Sequence, residues 1–433
     1  MLPNIKKTKS ILIMKKLLLL MLIVLSAGVT YAGGYRVSLQ GQRALAMGHT
    51  GVAVVNNAEI AFFNPAGMVL LENKINAAFG VSAVFSEVVW QNDEFGQMAR
   101  TDSPVGTPFY AYFSYKIKEN LSLGLAIYTP YGSTVQWEKD WAGSHLVNDI
   151  ELAAIYVQAL ASYKITDNLS VGGGPIYVSG SVNFNRNLSR TLTDLEGNRA
   201  NVTLDDSGIS AFGWSAGAMW SPIDSLRIGV NYRSEILVKA EAGEALFKNI
   251  PNSPLTPFSD TEFDATLPLP AELTVGASYQ LNEKWLFAFD YNRTFWNVYE
   301  SLDVDFANQP DERDSNNPRN YKNASIYRLG LQYTANEMFT LRAGYYFDES
   351  PLSSGYYAPE TPRNDSNNFT GGLTVNISDR VAIDAAFLYS RFKEINESYA
   401  PNPDDFPAYE GAPFEGTYKS SAFTVGLGVT IKI

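Results

Sequence analysis

Trp285-Leu286-Phe287-Ala288-Phe289-Asp290-Tyr291-Asn292 alternates along its whole length, with an aromatic ring at every odd position and Leu286, Ala288, Asp290 and Asn292 between them. A period of two sends the two sets to opposite faces of a β-strand. The same pattern recurs upstream, where Leu121, Leu123, Leu125 and Ile127 alternate with Ser122, Gly124 and Ala126. At the C-terminus Val425, Leu427, Val429, Ile431 and Ile433 alternate with Thr424, Gly426, Gly428, Thr430 and Lys432. A soluble sandwich would alternate equally well, so the pattern defines strands without naming the solvent they face.

The connections name it. Tight turns at Lys118-Glu119-Asn120, Thr166-Asp167-Asn168, Pro222-Ile223-Asp224, Asn282-Glu283, Asn336-Glu337 and Ser378-Asp379 alternate with long polar connections at about 91–106, 131–149, 185–207, 241–262, 302–320, 349–366 and 394–416. Transmembrane barrels alternate short periplasmic turns with long outer loops in this way. The expected fold is therefore all-β: an antiparallel transmembrane β-barrel of about fourteen strands over residues 75–433, with both termini in the periplasm. Tyr110, Tyr112, Tyr163, Trp214, Trp220 and Trp296 fall near strand ends, where interfacial girdles form. The chain ends in Ile433, where many such barrels end in an aromatic residue; Phe423 and the alternation around it still suit a closing strand.

Residues 1–32 read as a secretory signal peptide. Lys6, Lys7, Lys9, Lys15 and Lys16 precede an apolar run from Leu17 to Ala27, and Thr30-Tyr31-Ala32 supplies small residues for cleavage. Loss of those lysines takes the net charge from −12 to about −17, which disfavours nucleic acid as a partner. Cysteine is absent, so an exported chain of this kind draws its stability from a closed hydrogen-bonded ladder rather than from disulfides. The two histidines, His49 and His145, have no serine elbow about them, so no catalytic residue is assigned. No His and Cys stand at metal-ligand spacing, and neither a metal nor a cofactor is expected.

Residues 33–74 do not alternate. Gly33-Gly34-Tyr35, Gly41 to Gly48 and Ala58 to Met68 read as short helices between glycines, and Asn64 before Pro65 is a helix-start signal. Such a segment suits a compact hatch in the lumen of a barrel wide enough to need filling.

This segment resembles the N-terminal hatch of the FadL family, outer-membrane transporters of long-chain fatty acids whose relatives take up aromatic hydrocarbons. Asn64-Pro65-Ala66 matches the family's motif of those residues, preceded by Ala61-Phe62-Phe63. Thr129-Pro130-Tyr131-Gly132 with Trp137 and Trp141-Ala142-Gly143 resembles its third strand and the loop that follows. Leu267 to Glu272, Val275-Gly276-Ala277 and Asp290-Tyr291 resemble its middle signature; Leu341 to Tyr345, Ser350-Pro351 and Pro359 to Pro362 resemble its late one.

The resemblance implies capture of a hydrophobic ligand at the outer loops, binding in the lumen, and lateral exit into outer-membrane lipid where the third strand kinks. It makes Phe63, Asn64, Pro65 and Ala66 the hatch and gating residues, and Trp137, Trp141 and Leu146 part of an outer capture groove. Arg43, Arg233 and Arg342 are candidate partners for a ligand carboxylate, with Arg43 taken first. Long-chain fatty acids are the expected ligand of a monomer; an aromatic-hydrocarbon channel of the same family and a porin for polar solutes are the alternatives. The hatch argues against the porin. The Gly172-Gly173-Gly174-Pro175 run is a further point where strand pairing should be disturbed.

Overall fold

In a computed structural model, residues 35–252, 258–307, 315–401 and 413–433 are described; the segment read as a signal peptide lies outside them. Fourteen strands close into one antiparallel barrel. They are β1 (Ile75–Asn92), β2 (Phe109–Lys118), β3 (Leu121–Gln136), β4 (Asp149–Thr166), β5 (Leu169–Asn187), β6 (Asn201–Ile223) and β7 (Leu226–Arg233) in the first half. The second half comprises β8 (Glu272–Gln280), β9 (Trp285–Thr294), β10 (Ala324–Thr334), β11 (Phe339–Asp348), β12 (Ser366–Ser378), β13 (Val381–Phe392) and β14 (Phe414–Lys432). Each pairs with the next, and β14 returns to β1 from Asn76↔Lys432 to Gln91↔Thr417. Ile75 and Ile433 exchange both backbone hydrogen bonds, at 2.8 and 2.9 Å, so an aliphatic last residue closes the seam.

The alternation decides which face meets lipid. Phe287, Phe289, Leu329 and Leu427 point outward and are exposed, while Ala288, Asp290, Ala382 and Asp384 point inward and are buried. In water so many exposed rings and branched chains would be costly; in a bilayer they form the apolar band. Tyr163, Trp214 and Trp220 stand outward as girdle residues do. Tyr110, Tyr112 and Trp296 do not: all three are buried, the tyrosines because they fall on the inward set of β2 and Trp296 because it turns back onto Tyr35, centroids 4.9 Å apart.

The long connections are also shorter than the polar composition suggested. β3 runs through Gln136 and β5 through Asn187, and the outer strands Gln97–Arg100, Ile236–Lys248, Thr261–Leu269, Val304–Phe306 and Ile395–Tyr399 extend the hairpins. Above the membrane, polar outward residues face water while inward ones such as Phe184 stay apolar, so pairing continues past the lipid.

Two interruptions bear on the lumen. The β3–β4 register skips between Tyr128 and Tyr131, leaving Thr129-Pro130 as a bulge, and β2 stops pairing at Tyr110↔Tyr128. This is the kink of the third strand, placed where a proline cannot donate to a ladder. The β4–β5 ladder breaks between Gln158↔Ile176 and Ala161↔Gly173, opposite Gly174-Pro175 and within the expected run.

Candidate functional site

The hatch fills the lower lumen. It contains α1 (Gln42–Ala46), α2 (Ile60–Phe63) and a 3₁₀ turn at Pro65–Leu70. Asn64 caps that turn as its sequence suggests, its side chain accepting from Ala66 N at 3.2 Å. The same side chain donates to Val52 O at 2.9 Å and to the wall at Ala218 O at 3.0 Å. Ala66 O accepts from Ser162 and Ser170 of β4 and β5, at 3.0 and 2.8 Å. A Cβ on Gly172 would lie 2.6 Å from Ala66 N, so the hatch backbone lies flush against the wall. Phe63 packs edge-on to Phe62 and His49, each centroid 4.9 Å away.

On the far side Arg43 bonds Asp384 of β13 through Nε at 2.9 Å, and Thr430 donates to the same carboxylate at 2.7 Å. Arg43 is thus a tie between hatch and wall, away from the chamber that could hold a ligand; Arg342 sits in the same network, at Thr374. Asp384→Asn is expected to cost about 1–3 kcal/mol, because the amide carries no charge for Arg43 and has only one oxygen to accept from Arg43 and Thr430. Hydrogen exchange should then rise in residues 42–46, and unchanged protection there would dismiss Arg43 as a tie.

A buried ionic cluster pins the kink. Tyr35–Val37 runs beside the bulge, with Val37 N donating to Pro130 O and Gly132 N to Tyr35 O, both at 2.7 Å. Arg36 reaches Glu272 at 3.4 Å and Asn292 at 3.0 Å, and Tyr131 donates to Glu272 at 3.0 Å. Arg233 stands 3.7 Å from Glu272 and stacks over Phe62, 4.5 Å from the ring centre. A small polar cavity of about 30 Å³ opens onto Arg36, Arg233, Arg328, Glu272 and His49. Neither nitrogen of His49 finds a hydrogen-bond partner among the described residues. His145 lies in the loop after β3; burial, with Arg190 and Arg186 nearby, pushes its pKa down to about 4, so it is neutral at ordinary pH.

Above the cluster lies an apolar chamber of about 100 Å³. Leu152, Phe184, Leu204, Val238, Phe263 and Phe306 line its greater part, and Arg186, Asn317, Arg319 and Glu360 line its polar end. Arg319 pairs with Glu360 and donates to Tyr399 at 2.9 Å. Leu146 reaches the chamber wall. Trp137 and Trp141 do not; they stack on each other at 4.1 Å behind it and donate to Pro359 O and Val147 O. Sequence reasoning missed most of the chamber, because inward apolar residues on β4 to β6 carry the same alternation as lipid-facing ones.

A closed barrel with a packed hatch, an apolar chamber and a kinked third strand defines an outer-membrane transporter of hydrophobic compounds. The chain belongs to the outer membrane protein transport protein family (OMPP1/FadL/TodX), whose family model matches residues 23–432. It is 21% identical to the long-chain fatty acid transport protein of Escherichia coli O6:H1, over 86% of this chain and 90% of that one. Among solved structures it resembles a FadL homologue of Pseudomonas aeruginosa, with a TM-score of 0.78, 18% identity and coverage of 93% of this chain and 100% of that one. It also resembles the toluene transporter TodX of Pseudomonas putida, with a TM-score of 0.69, 18% identity and coverage of 94% and 100%.

Proposed function

We propose that the chain imports long-chain fatty acids, with residues 33–74 as its hatch and residues 1–32 as a cleaved signal. The observation that carries this reading is the chamber's division into a long apolar wall and an end lined by Arg186 and Arg319. Such a division suits an acyl chain with a carboxylate. Each buried methylene contributes about 0.8 kcal/mol, so an apolar track conducts such a molecule far better than a water-filled pore. The carboxylate needs hydrogen-bonding or cationic partners when it leaves water, and Arg186 and Asn317 stand at that end beside the Arg319–Glu360 pair. Lower down, Arg36 and Arg233 flank the route to the Thr129-Pro130 bulge, where the ligand would leave sideways into lipid.

A second reading has its own support. A space of about 100 Å³ is nearer to one aromatic ring than to an extended acyl chain, which favours a monoaromatic hydrocarbon. Uptake of labelled oleate, toluene and a small sugar by cells lacking their own transporter separates the two. Oleate uptake that Ala240→Trp abolishes supports the first reading, since the indole would fill the chamber from a wall position. Toluene uptake alone would move the assignment to the second, and sugar uptake alone would overturn both.

A further inference from the structure

The barrel wall is incomplete beside the chamber. β6 pairs with β7 from Ile223↔Leu226 to Ser215↔Arg233, then pairs again with the outer strand Ile236–Lys248 from Asp205↔Glu244 to Asn201↔Lys248. Between the two ladders, residues 206–214 face 234–243 without any strand register; Ser234 N donates to Trp214 O at 2.9 Å and closes the lower end. Both banks are held from behind. β6 keeps its ladder to β5 from Pro175↔Trp214 to Gly180↔Ile209, and Ile236–Ala240 keeps its ladder to 265–269.

Local chemistry favours the gap. Asp206 accepts from Gly208 N at 2.7 Å, and Asp264 accepts from Ala242 N at 2.8 Å, so these amides bond to side chains rather than across the seam. Ala242 has φ +57°, which turns its strand aside at the top. A Cβ on Gly213 would lie 2.4 Å from Ile236 Cδ1, so only a glycine leaves room for the isoleucine that fills the foot of the gap.

The foot of the seam is apolar on both faces, and above it Ser210, Lys239 and Glu241 turn outward. Ile209, Val238 and Ala240 line the chamber from its two banks. Outside, Phe212 is 75% exposed and Leu237 50%. Tyr177 packs on Phe212 at 5.3 Å and Trp214 on Tyr232 at 5.4 Å, a pair of outward aromatic contacts of the kind that marks the outer interface. Elsewhere, parting two strands breaks ladder bonds that lipid cannot replace. Here, above the bond from Ser234 N to Trp214 O, no ladder bond joins the two banks.

We propose that this seam is a lateral portal, through which apolar molecules already dissolved in the outer leaflet reach the chamber without passing the outer loops. It is separate from the kink of β3, three strands away, and it rests on the reading that the chamber holds ligand. The portal would draw on the membrane as a reservoir, where hydrophobic molecules concentrate. Ligands captured from water would still arrive by way of the loops.

The chain has no cysteine, so a paired-cysteine variant is free of competing thiols. Phe212→Cys with Leu237→Cys places one outward-facing thiol on each bank, and a short bismaleimide staples them in the full-length protein reconstituted in liposomes. An adamantyl diazirine is then delivered either dissolved in the lipid or added in water, photolysed at early times, and its adducts at Leu204 and Phe263 are read by mass spectrometry. The portal predicts that the staple abolishes labelling from lipid-delivered probe and spares labelling from water-delivered probe. Lipid-delivered labelling that survives the staple overturns the portal and leaves the chamber intact. A chamber labelled by neither route, stapled or not, overturns the functional reading itself. If the first pair does not migrate as a folded barrel, Ser210→Cys with Lys239→Cys, also outward on the two banks, poses the same question.

Discussion

Glu272→Ala is expected to lower the stability of the barrel by about 3–5 kcal/mol, the cost of removing one partner from a buried ion pair. Glu272 is 9% exposed and is the carboxylate shared by Arg36 and Arg233. It also accepts from Tyr131 at 3.0 Å and from Asn292 at 3.2 Å. Alanine would leave two guanidinium groups facing each other and would free both the Tyr35–Val37 segment and the residues after the bulge. Denaturant unfolding, followed by the gel mobility of the folded barrel, measures the loss. Glu272→Gln should fall between the two, since an amide oxygen still accepts from Tyr131 but carries no charge. A midpoint in the alanine variant equal to that of the parent would show that the cluster does not hold the kink.

Gly172→Val is expected to unseat the hatch and let polar solutes through. The added Cβ would stand 2.6 Å from Ala66 N and from Pro65 C. Both are backbone atoms, so no rotamer change relieves the collision; either the turn or the wall must move. The hatch is the softer of the two, because β5 is held by ladders on both sides. Conductance of single channels in a planar bilayer should rise from near closed to a steady ionic current. Asn64→Ala should leak less, since it removes the cap and two anchoring bonds, about 1–3 kcal/mol together, without forcing a clash. A Gly172→Val channel as tight as the parent would mean that the lumen is sealed elsewhere.

The fold was legible because a barrel writes its rules locally. Tight turns and period-two strands are short-range signals, and Asn64-Pro65 marks its own turn. The Gly172–Pro175 run likewise announced a break in pairing, since glycine packs nothing and proline donates nothing. The kink of β3 lay inside a stretch matched to the family, but Thr129-Pro130 gave no sign of how the backbone would bulge. The ionic cluster was harder still. Arg36 and Glu272 are distant in sequence and meet only after closure, and Arg233 joins them from a third element. Arg43 was expected as a partner for a ligand carboxylate, yet its partner is Asp384, near the far end of the chain. Tyr110 and Tyr112 were misplaced because an inward tyrosine supporting a hatch and an outward one at an interface look the same in sequence.

The flush contact between hatch and wall also limits how such a barrel can be altered. At Gly344 a Cβ would stand 2.0 Å from Gly48 N, as close as the contact at Gly172 is unforgiving. Such contacts leave the plug no slack to shift along the wall at these points. Changes of ligand taste and changes of seal therefore draw on different positions. The walls of the chamber are side chains that can be traded one for another, whereas at Gly172 and Gly344 the seat of the plug is bare main chain on both surfaces and has nothing to trade.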